Sequence, residues 1–259
     1  MVACLGAFAP VTATAIPVGL ELALLTDVSK SITNKEYRLQ KNGYVMAFQD
    51  PLIQQAISAI GGIAVSYYEW SGARKQAQKV EWFNIVDATS ANNFAALVKA
   101  SKRSFTGGST APGNAISKVT PMFGTETGGK DNGFESIRQI IDISGDGRQN
   151  NGKNTAKARD EALAMGVDAI NGLPVLGEKG VKRFYEKNIK GGTDSFVISA
   201  TSFARFKDRI KEKLAREIAA FSEPELAQER VQIPEPALLT LLGIGLTGWI
   251  LSRSKKDEA

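Results

Sequence analysis

Short apolar runs alternate with amphipathic stretches along most of this chain, and that alternation limits the architecture more than any other feature. Residues 20–26 (LELALLT) form an apolar run between polar turns, the pattern of a buried strand. Residues 63–70 (IAVSYYEW) are β-branched and aromatic, which favours a second strand. Residues 80–86 read as its neighbour, and the short polar connection 71–79 predicts an antiparallel pair at a sheet edge. Further strands are expected at 137–144, 167–175 and 196–200. Helices are expected at 35–49, with Ser31 and Asn34 as candidate N-caps, and at 51–60, restarted by Pro51. Others fall at 92–102, from Pro112, at 155–165, and between 175 and 196. A last one covers 202–221, where Phe203, Phe206, Ile210, Leu214 and Ile218 repeat at helical spacing. Strands alternating with helices predict an α/β, doubly wound fold: a mostly parallel sheet with helices on both faces.

The composition prunes the chemistry. The chain has no histidine, which excludes Ser–His–Asp triads and histidine-bound zinc. Its one cysteine, Cys4, allows no internal disulfide, so the core alone must hold the fold. A net charge of +5 with scattered basic residues lacks the basic stripe of a nucleic-acid binder, and no nucleic-acid partner is expected.

The two ends read as addresses. Residues 1–15 are small and apolar and finish in Ala13-Thr14-Ala15, the A-x-A form of a signal-peptidase site. The basic start of a signal peptide is missing, so the true start is expected a few codons upstream. A buried first strand, a flexible arm, or a lipid-bearing Cys4 are the alternatives. Near the other end, residues 237–251 carry no charge. As a helix they would span ~22 Å at ~1.5 Å per residue, short of a ~30 Å hydrocarbon core. Arg253, Lys255 and Lys256 follow at once and favour the cytoplasmic side, placing the rest of the chain outside. Residues 222–236, rich in proline and glutamate, read as a linker. Pro234-Glu235-Pro236, the apolar helix and the basic end together resemble the PEP-CTERM sorting tail. That resemblance implies a transmembrane helix at 237–251, export, and processing by an exosortase-type enzyme acting on the tail 234–259.

In doubly wound folds, sites form beyond the carboxyl ends of the parallel strands. Three polar groups are expected there: Asp27-Val28-Ser29-Lys30-Ser31, then Gly107-Gly108-Ser109-Thr110 with Gly113 and Ala115, then Ser144-Gly145-Asp146-Gly147. Hydroxyls and two carboxylates make an oxygen-only shell that suits Mg²⁺ or Mn²⁺, with Ca²⁺ admitted by the same donors. Hydroxyl ligands leave the ion electrophilic, with a position open to an external anion.

D-x-S-x-S, a later Thr at a Gly-rich helix entry and an Asp-Gly ending the next core strand resemble the metal-ion-dependent adhesion site (MIDAS) of von Willebrand factor A domains. The likeness spans about residues 18–221. It implies metal ligation by Asp27, Ser29, Ser31, Thr110 and Asp146, and an adhesion-type binding module whose protein or polymer ligand supplies a carboxylate. Tyr68-Glu69-Trp70, Ile143 to Gly147 and Asn171-Gly172-Leu173-Pro174 look like a bacterial subfamily of unknown function within that group. Ser109 competes with Thr110 as ligand, and Thr110 is preferred because Gly113 and Ala115 then keep their usual offsets. The commoner Thr-Asp-Gly is here Gly145-Asp146-Gly147.

Two rival readings remain. Haloacid-dehalogenase-like phosphatases also place an Asp after the first strand, but they need a second acid two residues on as general acid, where this chain has Ser29. The other is a structural surface protein in which a metal only stabilises the fold. Tyr67, Tyr68 and Trp70 are expected to pack in the sheet rather than bind a ligand. Asp142 is either a support to the site from behind its ligands or a buried acid paired with a lysine or with backbone. The loop 124–133 is expected at the face opposite the metal.

Overall fold

The computed structural model describes residues 14–219. The chain opens with β1 (Ile16–Val18) and β2 (Leu20–Asp27), then helices α1 (Asn34–Phe48) and α2 (Pro51–Ala59). The hairpin β3 (Ile63–Trp70) and β4 (Gln76–Ile85) precedes α3 (Ala88–Ala100) and α4 (Pro112–Val119). A 3₁₀ segment (Thr120–Thr127), β5 (Phe134–Ser136) and β6 (Gln139–Gly145) follow, then α5 (Thr155–Ala164) and β7 (Ala169–Pro174). Short α6 (Val181–Phe184) runs into a π-helical turn (Tyr185–Ile189), before β8 (Gly191–Gly192), a 3₁₀ turn at Phe203–Arg205 and α7 (Phe206–Ala219).

The central sheet has the order β4-β3-β2-β6-β7-β8. β3, β2, β6 and β7 run parallel, while β4 and β8 close the edges antiparallel. Period-2 alternation splits β2 between two core layers: Leu20, Leu22 and Leu24 enter one, Ala23 and Leu25 the other. The first layer holds Phe48, Phe94 and Phe206 from α1, α3 and α7, and the second holds Ile116 and Ala158 from α4 and α5. Burial on both faces is why β2 and β6 carry apolar residues at successive positions, Leu22 to Leu25 and Ile140 to Ile141, rather than alternating with exposed polar ones. All five apolar positions expected along the last helix, Phe203 to Ile218, are buried.

Several boundaries differ from the sequence expectation, each for a local reason. Thr33, not Ser31 or Asn34, caps α1, through a capping box with Glu36. Ser31 is engaged elsewhere, on Asp146. β4 starts at Gln76 rather than Val80, because polar residues pair comfortably with Trp70, Glu69 and Tyr68 along a sheet edge. β6 starts at Gln139, after an Ile137 that is 59% exposed. Residues 196–200 form only two isolated bridges, to Gly172 and Val175, and Asn171 Oδ1 takes the Phe196 N–H at 2.9 Å. The small parallel pair β1–β5 was not expected at all.

Among the described residues no helix is long and apolar enough to cross a membrane. The apolar stretch 237–251, the linker and all but the last two residues of the apolar N-terminal segment lie outside the described residues.

Candidate metal centre

The two central parallel strands end side by side, Thr26 of β2 opposite Ser144 of β6, and this puts Asp27 and Asp146 at one edge of the sheet. Asp27 is fully buried, and its Oδ1 accepts the Ser29 backbone N–H at 2.7 Å. The Ser29 and Ser31 hydroxyls are 3.2 Å apart, and the Ser31 hydroxyl donates to Asp146 Oδ1 at 2.7 Å. One polar chain therefore links four of the five residues singled out in the sequence.

The fifth, Thr110, arrives on a loop tied down by backbone and side-chain bonds. Lys30 N–H donates to Gly108 O at 3.1 Å, and the Ser71 hydroxyl lies 3.2 Å from both Gly107 O and Ser109 O. Gly108 sits at φ 120°, where a Cβ would fall 2.5 Å from Ser71 Oγ, so only glycine fits this turn. Thr110 N–H donates to Asn150 Oδ1 at 2.8 Å, and Asn150 N–H returns to Thr110 O at 3.0 Å. Thr110 is 5% exposed, and its Oγ1 faces the loop after β6: a Cβ at Gly147 would lie 3.4 Å from it. Ser109, its competitor, is exposed.

The electrostatics of the two acids are unresolved within the chain. Burial, reinforced by the charge of Asp146, pushes the Asp27 carboxyl up to about 7. Burial also raises Asp146, against the pull of the Ser31 hydrogen bond. Asp27 Oδ2 is buried with no hydrogen-bond partner. The cation nearby, Arg103, spends its guanidinium on Val28 O, Ser29 O and Ile32 O. None of the ion pairs among the described residues involves Asp27 or Asp146. Nor does any cluster of three or more His, Cys, Asp or Glu groups suited to a metal occur there. The donor set is instead two acids and three hydroxyls, with one carboxylate oxygen left unanswered. That set fits a hard divalent cation, whose charge would offset the repulsion between the acids.

Two cavities flank Asp146. One of 590 Å³ is lined by Lys30, Ser109, Thr110, Asn150 and Glu178, the other of 420 Å³ by Lys35, Leu39, Leu176 and Phe203. Asp146 and Gly177 line both. Glu178 is held by Arg148 at 2.5 Å.

Sequence reading missed Asn150, Ser71, Arg103 and Glu178 around the site. Their one cue is the run of Asn and Gly after Asp146, residue types that bond to neighbouring backbone. Tyr67, Tyr68 and Trp70 are buried in the sheet, as expected. Asp142 pairs with a lysine: Lys213 Nζ lies 2.7 Å from it and 2.6 Å from Glu217, all fully buried. The loop 124–133 lies at the start of β2, where Asn132 bonds to Glu21, at the end of the strand opposite Asp27.

This fold is that of von Willebrand factor A domains. Among solved structures, proximal thread matrix protein 1 from the mussel byssus superposes with a TM-score of 0.56 at 15% identity, over 80% of this chain and 49% of that one. A von Willebrand factor type A protein from Catenulispora acidiphila gives 0.53 at 12% identity, over 78% and 43%. The pilus adhesin SpaC of Lactobacillus rhamnosus GG gives 0.55 at 14% identity, over 79% and 31%. The chain thus spans about half the length of the mussel protein or less of the others. The mussel protein has also been solved with a zinc-occupied MIDAS motif. No curated protein matches the sequence. A family model described as a protein of unknown function, DUF1194, matches residues 17–222, and the chain belongs to that family.

Proposed function

We propose that this domain is a metal-ion-dependent binding module, in which Asp27, Ser29, Ser31, Thr110 and Asp146 hold one divalent cation. The observation that carries the reading is the convergence of the buried Asp27, the half-buried Asp146 and the hydroxyls of Ser29 and Ser31, with Thr110 on the adjoining loop and Asp27 Oδ2 unanswered. When bound, Mg²⁺ or Mn²⁺, or Ca²⁺ through the same donors, supplies a Lewis-acidic position for a carboxylate of a protein or polymer ligand. The chain's own part is to hold the donors: Ser29 N–H orients Asp27, the Ser31 hydroxyl orients Asp146, and Asn150 fixes the Thr110 loop. The cavities on either side of Asp146 leave room for a ligand longer than the carboxylate itself. Binding rather than turnover is proposed, because Ser29 stands where a phosphatase would need its general acid.

The same proposal covers fate. Residues 1–15 act as the export signal, 18–221 as the module and 222–236 as the linker. The PEP-CTERM-like tail is a transient membrane anchor removed near Pro236 by an exosortase-type enzyme. Surface or matrix adhesion by the named structural neighbours is in keeping with this, though it belongs to those proteins.

Thermal unfolding tests the metal. A cation at ~100 times its Kd adds about 2.7 kcal/mol, and at roughly 2–4 °C per kcal/mol the melting temperature should rise by several degrees. Mg²⁺ and Mn²⁺ should each produce the rise, since hard oxygen donors suit both ions. Asp146→Ala should abolish the rise. A parent-sized rise in that variant sinks the site. Intact mass of the native protein tests the fate: it should lack the residues beyond Pro236, and full-length chain recovered from the cytosol would refute export.

A further inference from the structure

Two glycines on neighbouring strands open a slot beneath the site. A Cβ at Gly145 would fall 2.7 Å from Asp27 Oδ2 and 2.9 Å from the Tyr185 hydroxyl oxygen. A Cβ at Gly172, on β7, would fall 2.7 Å from the Tyr185 ring. The ring fills that slot from below, fully buried in the layer that holds Leu25, Ile143 and Ile170. Tyr185 is the first residue of the π-helical turn, a departure from α geometry that is concentrated at functional sites. Its hydroxyl and Asp27 Oδ2 are both buried, and neither has a hydrogen-bond partner in the chain. Buried polar atoms are rarely left so, and here a donor and an acceptor face the same glycine.

The geometry points to Tyr185 as a positioning residue for Asp27, its hydroxyl poised to donate to Oδ2 across the Gly145 slot once a cation is bound, a bond not made in this structure. Asp27 Oδ1 is already held by Ser29 N–H, so a bond from the tyrosine would fix the second oxygen and with it the plane of the carboxylate. Outer partners of this kind orient a ligating carboxylate and raise affinity without touching the ion. The slot also explains why Gly145 precedes Asp146: any side chain there would displace the hydroxyl, the carboxylate or both. This inference rests on the proposed metal site, and it adds a residue that no sequence motif marks.

Tyr185→Phe tests it, because the change keeps the ring and removes only the hydroxyl. Two quantities are read: Mn²⁺ affinity by calorimetry, and the melting temperature of the metal-free protein. The expected result is an affinity at least about tenfold weaker, with a metal-free melting temperature equal to the parent's or higher. A ring that serves packing alone would give the opposite: unchanged Mn²⁺ affinity, whatever the melting temperature does, and that result overturns the role. If the parent itself binds no Mn²⁺, it is the metal site that fails; if the parent binds and Tyr185→Phe binds equally, only the tyrosine's role fails.

Discussion

Strand β2 carries a buried acid at each end, Glu21 at the start and Asp27 at the finish, and the protein answers them differently. Glu21 receives Asn132 Nδ2 at 2.5 Å on one oxygen and Ser136 Oγ at 3.0 Å on the other. Asp27 has one oxygen satisfied by Ser29 and the other by nothing in the chain. A third acid, Asp142 on the neighbouring strand, is answered by the buried ammonium of Lys213, which it shares with Glu217. Both end acids are pushed up to about 7, so burial alone does not separate them. What separates them is how they are answered. Glu21 has a hydrogen bond on each oxygen, and Asp142 has a buried ammonium, although its Oδ1 takes no hydrogen bond. Asp27 has neither a second hydrogen bond nor an ion pair and faces Asp146, which lines two cavities. A closed acid is structure; an open pair of acids asks for an outside charge.

The largest effect expected belongs to the buried ion pairs of Lys213. Lys213→Ala would strand Asp142 and Glu217 without their cation, at a cost of about 3–5 kcal/mol. Urea denaturation reads this, and a loss below about 1 kcal/mol would mean that the two acids are as open as Asp27. Next comes the open site. Asp27→Asn keeps an oxygen for Ser29 N–H but removes the charge, so the metal-induced stabilisation of about 2.7 kcal/mol at ~100-fold excess should vanish. The metal-free variant should be at least as stable as the parent, because repulsion with Asp146 is relieved.

Glu21 sharpens the comparison through pH. Its folded value near 7 exceeds its ordinary 4.5, so the folded state holds that proton more tightly than the unfolded chain does. The stability that goes with the protonated form is full below about 4.5 and is lost as pH rises through about 7. Glu21→Gln cannot lose it. The variant should gain on the parent across that window and be more stable at pH 8 by on the order of 1–3 kcal/mol, at ~1.4 kcal/mol per unit. A parallel pH profile for the two would show that Glu21 ionises freely. The smallest effect is at Asn150, whose side chain takes the Thr110 N–H. Asn150→Ala should cost roughly 1 kcal/mol of stability and weaken metal binding through the loop, checked by melting with and without Mg²⁺.

Much of this layout was legible in residue order because its causes are local. Apolar runs such as 20–26 and 63–70 can be buried on both faces only as inner strands, and D-x-S-x-S after the first of them can lie only at a carboxyl edge. The helical spacing of Phe206, Ile210 and Leu214 gave the last helix its buried side. What stayed hidden is pairing over long sequence separation. Lys213 reads as a solvated position on a charged helix, yet it is buried because Asp142 waits in the sheet. Tyr185 belongs to no motif, and only the two glycines that flank it in space show that its hydroxyl faces Asp27. Asn150 and Ser71 likewise act through backbone atoms of distant loops, which leave no periodic trace.

The most direct test of the central claim is calorimetric titration of the metal-free protein with Mg²⁺ and Mn²⁺, beside Asp27→Asn under the same conditions. One cation per chain, bound by the parent and lost in the variant, is the predicted result. A folded parent that takes up neither ion at millimolar concentration would contradict it, and Asp27 and Asp146 would then be ordinary turn residues at the end of a sheet.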